Sequence, residues 1–106
     1  MKLTIKDRIL IEALYPMQAD IVTQTLIRDI SKKVVLSQEE IEQAEIRPRQ
    51  EGGLQWNTEK ASGMIADIFF TDAERECLKK QIERMDNEKK VTLELLDLCI
   101  KIKDGK

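Results

Sequence analysis

The most reactive side chains in this 106-residue sequence are two thiols, Cys77 and Cys99, and twenty carboxylates; histidine is absent. Without histidine the chain lacks the side chain that titrates near neutrality and most often serves as general base or metal ligand. The cysteines stand 22 positions apart, not in the close pairs of a structural zinc site. Each falls on the apolar side of a helical pattern, which predicts buried, reduced thiols. Carboxylate pairs such as Glu39-Glu40 and Asp72 with Glu74 occur where helix caps explain them. Asp86-Asn87-Glu88 lacks the glycine and the spacing of a calcium loop. The chain contains no nucleophile elbow, phosphate-binding loop or dinucleotide fingerprint. Gly52-Gly53 reads as a turn. No catalytic residue, cofactor site or metal site is expected, and the chain reads as a non-enzyme.

Apolar residues make up 42% of the sequence and charged residues 36%, with a net charge of −2. That mixture fits amphipathic helices with solvated outer faces, in a single domain over residues 1–106. A near-neutral balance offers no surplus of cations for a phosphate backbone, so nucleic acid is not the expected partner. No apolar run approaches the roughly 18 residues of a membrane span. The segment Met1 to Arg8 is too charged for a signal peptide, which makes a cytoplasmic, reducing setting the expectation.

The chemistry must be positioned by elements that the spacing predicts. Thr4-Ile5-Lys6-Asp7 is a capping box with Asp in place of Glu. Ile5, Ile9, Leu10, Ala13 and Leu14 then repeat at helical spacing until Pro16 ends the first helix. Asp20 caps a second helix with Ile21, Val22, Leu26, Ile27, Ile30 and Val34 as its buried stripe. Ser37-Gln38-Glu39-Glu40 opens a short third helix to about Glu45, with Ile41 and Ala44 inward. Ile46 to Gln50 and Leu54 to Asn57, around Glu51-Gly52-Gly53, predict a β-hairpin with Pro48 at an edge or a bulge. Asn57 to Gly63 reads as irregular, and the second half of Met64 to Phe70 as a third strand. Phe69 and Phe70 should then point to opposite faces, one into the core and one covered by a helix or a partner. Thr71-Asp72-Ala73-Glu74 opens a fourth helix, Asp72 to about Met85, which buries Ala73, Cys77, Leu78, Ile82 and Met85 and is broken by Asp86-Asn87. Thr92 caps a fifth, Leu93 to about Lys103, with Gly105 as its stop. Its apolar arc is wide enough to need two layers or a partner.

The expected fold is α+β and helix-dominated: three helices, a small antiparallel β-hairpin or three-stranded sheet, then two helices. Three helices followed by a hairpin resemble a winged helix, which would lay the third helix in the major groove. That helix carries Glu39, Glu40, Glu42 and Glu45 and no basic residue, so it would repel phosphates. Arg47 and Arg49 on the hairpin could still touch a nucleic-acid backbone. Trp56 either pins the hairpin to the helices or anchors a partner. Arg47, Arg49 and Trp56 are therefore the candidate partner-binding residues.

The run Thr4-Ile5-Lys6-Asp7-Arg8-Ile9-Leu10, Pro16, Ile21-Val22-Thr23 and Leu26-Ile27-Arg28-Asp29 resembles the start of small uncharacterised phage-encoded proteins. The resemblance continues in Ser37-Gln38-Glu39-Glu40-Ile41 and Trp56-Asn57. It returns in Leu78-Lys79-Lys80, Met85-Asp86, Glu88-Lys89-Lys90, Thr92 and Leu95-Leu96. It implies a phage or prophage gene product in a bacterial cytoplasm, and no activity or binding residues to carry over. Small proteins of that kind are often assembly factors, minor virion parts or inhibitors of host proteins. The expected function is a non-enzymatic protein-interaction module that binds a protein partner or itself. The alternatives are a winged-helix-like nucleic-acid binder and a small-molecule binder without an identifiable site.

Overall fold

The computed structural model describes residues 1–104, so Gly105 lies outside the described residues. It is an α+β fold dominated by helices. β1 (Lys2–Leu3) leads into α1 (Ile5–Leu10), which tightens into a 3-10 helix over Ile11–Leu14. α2 (Ile21–Val34) and α3 (Gln38–Gln43) follow, then the hairpin strands β2 (Arg47–Pro48) and β3 (Leu54–Gln55). α4 (Thr58–Ala61), β4 (Ala66–Asp67), α5 (Asp72–Asn87) and α6 (Leu93–Asp104) complete the order. α2 packs on α5, and α5 on α6; their inward residues join Leu3, Ile11, Leu14 and Phe70 in the main core. A second, smaller cluster gathers Ile5, Ala44 and Ala61 under Ile9, Leu36, Ile46, Trp56 and Met64.

The caps form as the sequence predicts. Thr4, Ser37 and Thr71 each accept the N3 amide of their helix and are closed by the N3 acid, Asp7, Glu40 and Glu74. Asp20 caps α2 by accepting the Thr23 amide at 2.7 Å, and Thr92 Oγ1 accepts the Leu95 amide at 3.3 Å. Each capping-box acid also holds a cation from a distant element. Lys101 of α6 donates to Asp7 Oδ2, and Lys33 of α2 donates to Glu74 Oε1. Arg8 is 8% exposed and donates in four directions. Its Nε reaches the Val34 carbonyl at 3.1 Å and its Nη2 the Val35 carbonyl at 2.6 Å, while Nη1 and Nη2 grip both oxygens of Glu40. One guanidinium thus closes the C-terminus of α2 and the N-terminus of α3 together.

Several elements differ from the sequence reading. The third strand exists, but it pairs with β1 (Lys2↔Asp67, Leu3↔Ala66) and not with the hairpin. Among the described residues there are therefore two separate antiparallel ribbons and no three-stranded sheet. β1 was not anticipated, because two residues carry no periodicity. Asn57 to Gly63 is not wholly irregular: Asn57 Oδ1 accepts the Lys60 amide at 2.9 Å and starts α4, which buries Ala61. Ile21 and Val22 are exposed, not part of the α2 stripe. Nine residues at about 100° each put Ile21 on the opposite face from buried Ile30. Ala13 and Ala73 are exposed as well.

α5 runs past Asp86-Asn87 and stops at Lys89, in the left-handed region at φ 56°. The Lys90 amide bonds to the Met85 carbonyl and the Lys89 amide to that of Asp86, a Schellman closure. α3 ends the same way on Glu45, at φ 55°. A side chain at such a position strains the backbone by about 1 kcal/mol. Lys89 is exposed, so Lys89→Gly should raise stability by about 1 kcal/mol in urea denaturation; no gain would mean that the strain is absorbed elsewhere.

Arg8→Met should cost about 3 kcal/mol, the low end for a broken buried pair because Glu40 keeps some water. The Arg8 guanidinium, with the Ser37 amide, holds the Glu40 carboxyl down at about 2 against an ordinary value of 4.5. A depressed acid contributes its stability in full above pH 4.5 and loses it as pH falls towards 2. Acid titration of unfolding should therefore be steep between those values in the native chain and flatter in Arg8→Met. An unchanged acid limb in the variant would refute this role for the pair.

Candidate interaction surface

The hairpin turns on Gly52 and Gly53, at φ 97° and 75°. The Arg49 amide donates to the Gly53 carbonyl at 3.1 Å, and the Gly52 amide to that of Arg49 at 3.2 Å. Arg47 lies across from Gln55 and Pro48 across from Leu54, all of them exposed. The fold brings Arg47 and Trp56 to one shallow hollow with Glu45, Gln55 and Asn57. Arg49 opens onto a different hollow, with Pro48, Gln50, Glu51 and Gln55. Trp56 is half-buried and packs on the second cluster, which ties the hairpin to α3 and α4.

Beside the hairpin, Glu45 is countered locally. The Glu45 carboxylate accepts from Asn57 Nδ2 at 3.1 Å and pairs with Lys60 at 3.3 Å. The Asn57 hydrogen bond first, then Lys60, holds its carboxyl below the usual range, with a smaller contribution from Arg47 nearby. The four glutamates around α3 do not form one patch. Glu40 is taken by Arg8 and Glu45 by Lys60, while Glu39 and Glu42 accept from Gln43 and Gln38.

The surface that the sequence reading did not single out is the outer face of the β1–β4 ribbon. Burial alternates without a break from Met64 to Phe70. Ala66, Ile68 and Phe70 face inward, and Ile65, Asp67 and Phe69 face outward. Ile65 is 56% exposed and Phe69 73%, while Phe70 is 1% exposed in the core. The two phenylalanines do point in opposite directions. Among the described residues no helix covers Phe69; the Lys33 ammonium stands 5.7 Å from its ring centroid. Ile65 and Asp67 line a largely apolar hollow of about 500 Å³ with Met1, Lys2, Thr4 and Lys101. The sequence signal was the period-two alternation within Met64 to Phe70, which an apolar run conceals. Leu93, Leu96 and Ile100 also stay exposed on α6, the part of its wide arc that the core does not use.

Cys77 and Cys99 are buried and free, and burial pushes both thiols above their ordinary value. Among the described residues no group of three or more Cys, Asp or Glu is placed to hold a metal ion. No described helix is long and apolar enough to cross a membrane. The burial has a direct readout. Native protein at pH 8 should react with iodoacetamide at least roughly a hundredfold more slowly than urea-unfolded protein. Equal rates would place the thiols at the surface.

No family model, curated protein or solved structure matches this chain.

Proposed function

We propose that this chain is a non-enzymatic protein-interaction module that docks a partner on the outer face of the β1–β4 ribbon. The observation that supports this is the exposure of Ile65 and Phe69, which flank β4 on a segment whose alternate residues Ala66, Ile68 and Phe70 turn inward. Large apolar side chains held on a rigid, half-buried strand lose little freedom on binding and gain apolar burial. The resemblance to phage-encoded proteins supplies a setting: an assembly factor, a minor virion part or a modulator of a host protein. The hairpin residues Arg47, Arg49 and Trp56 form a second, more polar contact zone in this reading. Protein is preferred to duplex DNA because α3 presents exposed Glu39 and Glu42 and no basic residue.

The test is site-specific photocrosslinking in cells, with benzoylphenylalanine at position 69 and, separately, at position 49. Discrete polypeptide adducts from position 69 are expected. Adducts from position 49 alone would move the docking surface to the hairpin. No polypeptide adduct from either position would overturn the interaction reading.

A further inference from the structure

The backbone of β4 says what kind of partner its surface takes. In an antiparallel pair, facing residues alternate between those that exchange hydrogen bonds and those that do not. Met1 and Ile68 exchange them: the Ile68 amide donates to the Met1 carbonyl at 2.8 Å, and the Met1 amino group to the Ile68 carbonyl at 2.8 Å. The register then makes Leu3 and Ala66 the next bonded pair and leaves Lys2 and Asp67 as a non-bonded one. The N–H and C=O of Asp67 therefore point away from β1, and by the same alternation so do those of Ile65 and Phe69. None of these groups meets a hydrogen-bonding partner among the described residues.

The open edge thus repeats every second residue, about 6.8 Å apart, which is the repeat of an extended strand. The same three residues carry the outward side chains, apolar, acidic, apolar. Backbone groups and side-chain pockets are in register, as strand addition to a sheet edge requires.

We propose that β4 accepts an extended peptide as a third, antiparallel strand, with an apolar-x-basic-x-apolar pattern. Its basic residue stands opposite Asp67 and its apolar residues opposite Ile65 and Phe69. Asp67 is the acid on this face: Oδ1 is ion-paired with the Met1 ammonium at 3.1 Å, and Oδ2, without a partner among the described residues, is the atom left to accept from the peptide's cation. A second copy of this chain is a poor occupant. Two β4 strands paired so that Ile65 meets Phe69 would set Asp67 against Asp67, and like charges directly opposite destabilise a strand pair. A helix would leave the edge N–H and C=O groups unmatched.

This inference rests on the interaction reading above, but its test is independent of the crosslinking. The probe is acetyl-Thr-Val-Thr-Lys-Thr-Val-Thr-amide, titrated into 15N-labelled protein. The amides of Ile65, Asp67 and Phe69 should shift most and gain protection from exchange. N-methylation of the probe's lysine amide should weaken binding roughly tenfold, since that N–H must reach the Asp67 carbonyl. N-methylation of the threonine that follows it should leave affinity within about twofold, because that N–H points to solvent. Replacing the lysine with glutamate should weaken binding. Equal effects of the two methylations, shifts centred on the hairpin or α6, or no shifts at millimolar peptide would each overturn strand addition. Crosslinks from position 69 alongside any of those results would leave the surface standing and remove only the strand mode.

Discussion

The architecture hangs on a guanidinium taken out of water. Arg8 would be costly to bury alone, and it is tolerable because Glu40 neutralises it and the Val34 and Val35 carbonyls take two more of its donors. Those carbonyls belong to the end of a helix that turns extended at Val35, so they have no helical successor to bond. Removing the cation would therefore expose three deficits together: an unpaired carboxylate and two orphaned carbonyls. Asp7 precedes Arg8 and bonds Lys101, so adjacent residues of α1 tie it to α6 on one side and to the α2–α3 corner on the other.

α1 and its 3-10 continuation also form the wall shared by the two apolar clusters. Ile5 and Ile9 belong to the smaller one, and Leu10, Ile11 and Leu14 to the larger. Asp7 and Arg8 sit between Ile5 and Ile9 of the smaller cluster, one turn before Ile11 of the larger. Hydrophobic burial holds each cluster, but it has no directional preference that would orient one against the other. Directed bonds from Asp7 and Arg8 supply that orientation. The same economy recurs at α5, where Glu74 caps its own helix and receives Lys33 from α2.

The legible part of the sequence was the part whose physics spans a few residues. A capping box closes over three positions, so Thr4, Ser37 and Thr71 could be read directly. The cations that complete those boxes lie 94, 32 and 41 residues from their acids, and no local pattern marks Lys101, Arg8 or Lys33 as their partners. The missing β1–β4 pairing has the same origin, since Lys2 meets Asp67 only through the tertiary fold. Ile21 misled because an apolar residue beside a stripe looks like part of it until the rotation per residue is followed. At the surface, arginine and tryptophan on the hairpin drew attention by type. Ile65 and Phe69 matter by orientation, and orientation needs the partner strand.

The bond from Lys101 to Asp7 has a bearing on the order in which the chain is made. A ribosome releases α1 well before α6, with its Thr4–Asp7 cap able to close at once. The cation that neutralises Asp7 emerges 94 residues later. Until α6 appears, the inner face of α5 also lacks one wall of the core. A nascent chain ending before α6 therefore holds formed helix starts around an open apolar cleft, a species prone to non-native contacts. Final packing waits for α6, which closes the cleft and delivers the missing charge together.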